Sequence, residues 1–206
     1  CLTEGYGLTE TSPIVCFMPL GTAWDGTVGF PIPSTEVSIR DGEFNELPVW
    51  TGEGDIGKHT GEICIRGPQV MKGYWNNPAE TAGVLHDGWL KTGDVGHLDD
   101  QGRVTITDRK KDMILVSGFN VYPNEIESVV AAHPGVLECA AVAVPDEKTG
   151  EAVKVVIVRK DPGLTRESVI EHCRKLLTSY KVPRHVEFRD ALPKTPIGKI
   201  LRRELR

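Results

Sequence analysis

In the first half of the chain, short apolar runs alternate with breaks that contain Gly or Pro. Three runs place apolar residues at every second position, which predicts strands with one buried face: residues 35–39, 62–66 and 103–107. Before residue 120, only residues 77–85 have a spacing that suits a helix. This pattern predicts a small β-rich subdomain.

The second half contains longer periodic segments. Pro123 precedes residues 124–133, where Ile126 and Val129 recur with helical spacing, so a helix is predicted there. Thr165 is predicted to cap a second helix, whose apolar face comprises Val169, Ile170, Cys173, Leu176 and Leu177.

Three further segments of this half are predicted strands. Residues 137–144 and 153–158 are apolar on both faces, which is typical of strands covered on both sides, and residues 186–188 are a third candidate. With a strand also predicted before the first helix, the order β-α-β-β-α-β indicates a small α+β domain of about 95 residues. The predicted fold class is therefore α+β, with a β-rich part first and a compact α+β part after it.

The net charge of −5 is distributed unevenly. Residues 1–110 contain 16 acidic and 8 basic residues, whereas residues 111–206 contain 13 acidic and 16 basic residues. The basic excess in the second half is small and scattered, which argues against a nucleic-acid partner and suits a compact phosphorylated ligand.

Composition also limits the cellular setting. No apolar stretch approaches the roughly 20 residues that cross a bilayer. The chain opens with Cys1 and shows neither a start Met nor a signal peptide, so we expect an N-terminal part of the same chain to precede it.

The five cysteines are odd in number and dispersed, which predicts reduced, buried thiols in a cytoplasmic protein: Cys1, Cys16, Cys64, Cys139 and Cys173.

Two segments match the residue patterns of nucleotide-binding motifs but lack other features that these motifs require. Residues 52–57 read GxGxxG, but two carboxylates inside that loop would repel a pyrophosphate and no helical pattern follows. Residues 195–199 resemble the end of a P-loop, but Pro193 replaces its first glycine and Ile200 replaces its Mg-binding Ser or Thr. Both segments are interpreted as turns.

Four other segments are specific when they are taken together. They are YGLTE at residues 6–10, TGD at 92–94, DRKKD at 108–112 and PKTPIGK at 193–199. In this order and spacing the chain resembles the adenylate-forming superfamily of acyl-CoA synthetases, luciferases and peptide-synthetase adenylation domains. The resemblance implies that residues 1–108 end a large N-terminal domain, that residues 109–112 form a hinge, and that residues 113–206 form a mobile C-terminal lid.

The resemblance also implies roles for the residues in the first three segments. Tyr6 would stack on the adenine of ATP or AMP, Gly7 would belong to the same nucleotide site, and Thr9 would bind a phosphate. Asp94 would accept the ribose hydroxyls, and Arg109 would contact the same ribose. These five residues are the predicted nucleotide site.

Two charged side chains would serve the adenylation step. Glu10 would offer a hard oxygen to Mg²⁺. Lys199 is the predicted catalytic residue, because a flexible cation can neutralise the charge that develops when a carboxylate attacks the α-phosphorus of ATP.

The remaining implied roles concern a second half-reaction. Lys111 would be the pivot about which the lid rotates after adenylation. Ser117, Gly118 and Arg174 would then bind CoA, and Arg184 is a further candidate for its phosphates.

Residues 108–127 and 198–206 are most similar to bacterial long-chain fatty-acyl-CoA synthetases. The resemblance therefore predicts an enzyme, an ATP-dependent fatty acid:CoA ligase that uses Mg²⁺, and it predicts that these 206 residues alone are inactive. An adenylation domain that loads a carrier protein and a non-catalytic detached lid stay open as alternatives. Peripheral contact with the inner face of the membrane also stays open, because the substrate would be a lipid.

Overall fold

A computed structural model describes residues 3–206 and divides the chain into two compact units, Cys1–Lys110 and Lys111–Arg206. Each unit has hydrophobic clusters of its own. Cys1, which was included in the prediction of reduced thiols, lies outside the described residues.

The first unit is built from two antiparallel sheets. Its strands are β1 (Gly5–Gly7), β2 (Ile14–Phe17), β3 (Phe30–Pro31), β4 (Glu36–Arg40), β5 (Gly61–Arg66), β6 (Leu85–His86), β7 (Trp89–Leu98) and β8 (Val104–Arg109). One sheet has the order β1-β2-β3; the other has the order β4-β5-β7-β6, with β8 paired to β7. The three predicted strands are confirmed as β4, β5 and β8.

The helix predicted at residues 77–85 is also confirmed, as α1 (Pro78–Val84). Asn77 caps it, because its side chain accepts a hydrogen bond from the Glu80 amide, and Pro78 occupies the first turn. Local sequence is therefore sufficient to explain this element.

The long strand β7 was not predicted. Its middle contains Thr92-Gly93-Asp94, which has the composition of a turn, and Gly93 has a φ of 73°. The structure accommodates these residues as a bulge: Lys91 pairs with Cys64 and Val95 with Glu62, so three residues of β7 lie opposite Ile63 alone. The bulge interrupts the alternation that would have revealed a strand.

The second unit contains one mixed sheet and two helices. Its elements are β9 (Ile114–Val116), β10 (Phe119–Val121), α2 (Pro123–Ala131), β11 (Val136–Asp146), β12 (Gly150–Arg159), α3 (Arg166–Leu176) and β13 (His185–Arg189). The sheet has the order β10-β9-β12-β11, and β13 pairs with β12 in parallel. The order β-β-α-β-β-α-β contains one strand more than the predicted order and confirms the α+β class.

The β9–β10 hairpin closes through a two-residue turn. Ser117 and Gly118 have φ values of 51° and 84°, so both central residues are left-handed, as a type I′ turn requires. This conformation needs glycine at one position and tolerates serine at the other only with strain.

Strand β12 is buried on both faces, as predicted. Val153, Val155 and Ile157 pack in the cluster that includes both helices, whereas Val156 and Val158 pack in a second cluster on the opposite side of the sheet. Alternate residues of one strand therefore serve two different cores.

Helix α3 is capped by Thr165, whose hydroxyl accepts a hydrogen bond from the Ser168 amide, as predicted. Val169 and Cys173 are buried on its apolar face. The prediction was wrong for Leu176, which is the last residue of the helix and is 59% exposed.

None of the helices within residues 3–206 has the length and apolarity that are needed to cross a bilayer.

Candidate active site

Two of the predicted nucleotide-site residues, Tyr6 and Arg109, contact a third, Asp94. The Tyr6 hydroxyl donates a hydrogen bond to Asp94 Oδ2 over 2.8 Å, and Arg109 Nε lies 3.1 Å from Asp94 Oδ1. The Asp94 side chain is 7% exposed, whereas that of Arg109 is 60% exposed. The carboxylate is therefore held from two sides, and the guanidinium next to it remains accessible to a ligand.

The register of the sheet explains this arrangement. Asp94 and Arg109 are direct partners across β7 and β8, and Tyr6 is only 8% exposed. Burial, more than the neighbouring Asp94, raises the pKa of the Tyr6 hydroxyl well above its ordinary value. Tyr6 therefore stays protonated and acts as a hydrogen-bond donor to the carboxylate.

A second acidic residue adjoins this loop. Glu62, with 7% of its side chain exposed, accepts a hydrogen bond from the Gly93 amide over 3.1 Å and pairs with Lys110 Nζ at 2.8 Å. It therefore links the bulge of β7 to the lysine that follows Arg109. The sequence predicted Glu62 only as a position in a strand; the one available signal was a carboxylate next to the apolar residues Ile63, Cys64 and Ile65.

Gly7 and Thr9 occupy different settings. A side chain at Gly7 would overlap the backbone of Pro13, so the close approach of β1 to β2 requires glycine there. Thr9 is exposed at the start of a short 3₁₀ helix, Thr9–Thr11. Its hydroxyl is accessible to a ligand.

Glu10 lies in a cleft of about 200 Å³ within the first unit. The cleft is lined by Leu8, Glu10, Glu62, Tyr74, Gly83, Val84, Leu90, Lys91, Thr92 and Gly93. The Tyr74 hydroxyl donates to Glu10 Oε1 over 2.8 Å, and Glu10 raises the pKa of that hydroxyl. Tyr74 was missed in the sequence because nothing nearby distinguished it from a packing aromatic.

Within residues 3–206, no three His, Cys, Asp or Glu side chains come together in a way that could hold a metal ion. Glu10 remains the carboxylate that the sequence predicts as the protein ligand of Mg²⁺. Mg²⁺ in nucleotide sites is usually held by one or two carboxylates together with phosphate oxygens and water, so a single accessible carboxylate fits the group.

Lys199 lies at the tip of a hairpin in the second unit. The Thr195 amide donates to the Lys199 carbonyl over 2.7 Å, and Lys194 and Ile200 form the next pair. Gly198 has a φ of 82°, which allows the tight turn. The Lys199 side chain is exposed, so its ammonium group projects from an ordered loop into solvent.

The remaining predicted residues lie on the surface of the second unit. Lys111 is exposed in a 3₁₀ turn, Lys110–Asp112, and Ser117 and Gly118 are exposed at the β9–β10 turn. Arg174 lines a cleft of about 420 Å³. The lining of this cleft comprises Val116, Ala152, Val153, Ile170, Arg174, Ser179, Tyr180, Val182, Pro183 and Arg184. Ser117 and Gly118 do not belong to this lining.

The two arginines of this cleft differ in their partners. Arg184 Nη1 contacts both oxygens of Asp146 at 2.9 Å. Arg174 is exposed in the last turn of α3. Both arginines are exposed, but Arg184 already pairs with Asp146.

Comparison with known proteins defines the class. Residues 1–75 match the AMP-binding enzyme family, and residues 125–199 match the family described as AMP-binding enzyme C-terminal domain. The chain therefore belongs to the AMP-binding enzymes, which confirms the resemblance inferred from the four motifs.

More particularly, the chain is 57% identical over 206 residues to the long-chain-fatty-acid–CoA ligase of Yersinia pestis, covering 100% of this chain and 35% of that protein. It is 44% identical over 208 residues to the fatty acid–[acyl-carrier-protein] ligase ScoC of Streptomyces coeruleorubidus, covering 98% of this chain and 38% of that protein. The chain thus spans only about a third of the length of these relatives.

A solved structure supports the same class. ATP-bound MatB from Rhodopseudomonas palustris superposes with a TM-score of 0.88 at 37% identity, covering 100% of this chain and 40% of that chain. The fold is therefore shared with a protein whose structure was solved with ATP bound.

Proposed function

We propose that the full-length protein is an ATP-dependent long-chain fatty acid:CoA ligase and that this chain carries its ribose-binding, hinge and lid elements. The observation that carries the proposal is the buried Asp94 carboxylate, held by Tyr6 and paired with the accessible Arg109 in a chain that is 57% identical to such a ligase.

The nucleotide would bind to the first unit. The two oxygens of Asp94 are anchored by Tyr6 and Arg109, which leaves lone pairs that can accept the two ribose hydroxyls. Thr9 would donate its hydroxyl to a phosphate. Tyr6 is largely buried, so its proposed contact with adenine would use only the small part of the ring that remains exposed.

Glu10 would be the protein ligand of Mg²⁺, which would neutralise phosphate charge when it is bound. Tyr74 holds Glu10 through one oxygen, Oε1. This hydrogen bond orients the carboxylate toward the cleft.

Lys199 would act in the adenylation step. The fatty-acid carboxylate attacks the α-phosphorus, the bond to pyrophosphate breaks, and negative charge accumulates on the oxygens around phosphorus. An ammonium group on the exposed hairpin can contact the carboxylate and the phosphate together and lower that barrier.

The second half-reaction would follow a rotation about Lys111. The CoA thiol attacks the acyl carbonyl, and AMP leaves. Ser117 and Gly118 at the exposed turn would lie along the pantetheine, and Arg174 would bind a CoA phosphate. Glycine at the turn would permit a close approach of the ligand to the backbone.

The central test compares Lys199→Ala with Lys160→Ala in the full-length protein; Lys160 is an exposed lysine after β12, far in sequence from the motifs. Fatty-acid-dependent ATP–pyrophosphate exchange should fall at least 100-fold in Lys199→Ala, and the control should retain it. Undiminished exchange in Lys199→Ala would refute the proposed role and would favour a non-catalytic lid.

The similarity to ScoC supports a second candidate, in which the acyl group is transferred to a carrier protein. Supplying the full-length protein with CoA or with a phosphopantetheinylated carrier protein separates the two. The higher identity to CoA ligases leads us to expect acyl-CoA as the product.

The cellular setting is part of the proposal. We place the protein in the cytoplasm, with peripheral contact at the inner face of the membrane as the open alternative. We also expect the 206 residues alone to show no turnover, because they span only 35% of the ligase they resemble. Pyrophosphate exchange by the isolated chain would contradict this expectation.

A further inference from the structure

Arg202 is the most extensively bonded side chain near the hairpin that carries Lys199. Its Nη2 lies 2.9 Å and 2.8 Å from the two oxygens of Glu127 and 3.0 Å from Asn124 Oδ1, and its Nη1 lies 3.5 Å from Asp112 Oδ2. The side chains of Arg202, Glu127 and Asp112 are 22%, 19% and 16% exposed. One partly buried guanidinium thus joins two carboxylates.

Each partner of Arg202 is itself fixed in the second unit. Glu127 lies on α2 and also accepts a hydrogen bond from the Ala141 amide of β11 over 2.8 Å. Asp112 directly follows the proposed pivot, and Arg206 lies 3.5 Å from Asp112 and donates to the Lys111 carbonyl. The segment after the pivot is therefore tied to the end of the chain through side chains.

The backbone connects Arg202 closely to Lys199. The Leu201 amide donates to the Pro193 carbonyl over 2.8 Å, which closes the base of the hairpin, and Arg202 follows immediately. Leu192 and Leu205 anchor the same region in the apolar cluster below it. These apolar contacts attach the hairpin to the second unit but do not fix the orientation of the hairpin, because hydrophobic contact is not directional.

We infer that Arg202 is a positioning residue that joins the Lys199 hairpin to the segment after the hinge, so that both move as one rigid body. The inference rests on the proposed function. The planar fork of arginine can bind two carboxylates in a defined orientation, which a lysine ammonium cannot reproduce. When the segment after the pivot rotates, the Lys199 ammonium then rotates with it.

The test uses Arg202→Ala and Arg202→Lys in the full-length protein, with both half-reactions measured separately. ATP–pyrophosphate exchange should fall about 10-fold or more in Arg202→Ala through kcat, with KM for ATP unchanged, because a displaced Lys199 fails only in the transition state. Thioester formation from CoA and preformed acyl-adenylate should stay within about twofold, because Lys199 is not used there. Arg202→Lys should recover part of the exchange.

Arg203→Ala is the matched control, since Arg203 is exposed and adjacent and should leave both rates unchanged. If Arg202→Ala lowers both half-reactions equally, or leaves exchange intact, the inference is overturned. Should that variant not fold, Arg202→Lys decides by the same ratio of the two rates. Intact exchange in Lys199→Ala would instead refute the proposed function itself.

Discussion

Glu62 and Lys110 form an ion pair with 2.8 Å between Oε2 and Nζ, although 48 positions separate them in the sequence. The Glu62 side chain is 7% exposed, whereas that of Lys110 is 45% exposed. Since the other oxygen of Glu62 accepts a hydrogen bond from the Gly93 amide, this carboxylate connects the bulge of β7 to Lys110, the residue before the proposed pivot.

The unequal burial of this pair predicts unequal effects of substitution. Lys110→Met leaves a buried carboxylate with only the Gly93 amide, and we expect it to lower the free energy of unfolding by about 1–3 kcal/mol. Glu62→Gln keeps an acceptor for that amide and leaves an exposed lysine to water, so its cost should be about 1 kcal/mol or less. Urea denaturation of the full-length variants measures both.

A double substitution and an exposed control complete this comparison. Combining both changes should cost less than the sum of the single changes, because the buried charge is then gone as well. Glu53→Gln, in an exposed loop, should have no effect. Strict additivity of the two changes would show that the ion pair contributes nothing.

Tyr6→Phe tests the support of Asp94. Removal of the hydroxyl deprives a buried carboxylate of one donor, which should cost about 1–3 kcal/mol of stability at pH 8. Burial raises the pKa of Tyr6 in the folded state, so its contribution is complete below the ordinary tyrosine pKa of about 10 and is lost as pH rises above it. The difference between wild type and variant should therefore shrink above pH 10, and a pH-independent difference would contradict the assignment.

Asp146→Asn has the opposite dependence on pH. Hydrogen bonds from the Thr149 hydroxyl, then from backbone amides and Arg184, lower the pKa of Asp146 to about 2. A lowered pKa stabilises the fold above the ordinary value of about 4, and this stabilisation is lost as pH falls toward 2. Thermal melting should show the variant less stable at pH 7 and equal to wild type near pH 2, whereas Glu147→Gln should match wild type throughout.

Four cysteines should resist alkylation: Cys16, Cys64 and Cys173 are buried, and Cys139 is partly buried. Burial raises the pKa of Cys16, Cys64 and Cys139 to about 12 and that of Cys173 to about 11. Because the thiolate is the reactive form, iodoacetamide at pH 8 should leave these four cysteines unmodified in the native protein and modify them after denaturation. Peptide mass mapping measures this, and labelling of native Cys16 would show that its site opens.

The elements that were predicted correctly share one property, namely that a local pattern specifies them. Helix α1 has its Asn77 cap, helix α3 has Thr165, and β12 has an apolar run at residues 155–158 that serves two cores. Leu176 was assigned wrongly because helical spacing continues to it, although the helix ends there.

In the candidate site, too, local motifs were predicted from the sequence and long-range contacts were not. Residue types and spacing of the four motifs were enough to identify the adenylate-forming class and to select Asp94, Arg109 and Lys199. By themselves they could not place Glu62 or Arg202, because the partners of these residues lie 48 and 75 positions away in the sequence.

Sequence alone determined the class of the protein, the α+β character of the fold and most local elements, because periodicity, caps and short motifs act within a few residues. Only the tertiary structure decided that β7 bulges at Gly93, that Tyr6 contacts Asp94 across 88 positions, and that Arg206 lies beside Asp112. The physical reason is that strand register and ion pairing depend on chain closure over long distances, and a local pattern contains no information about it.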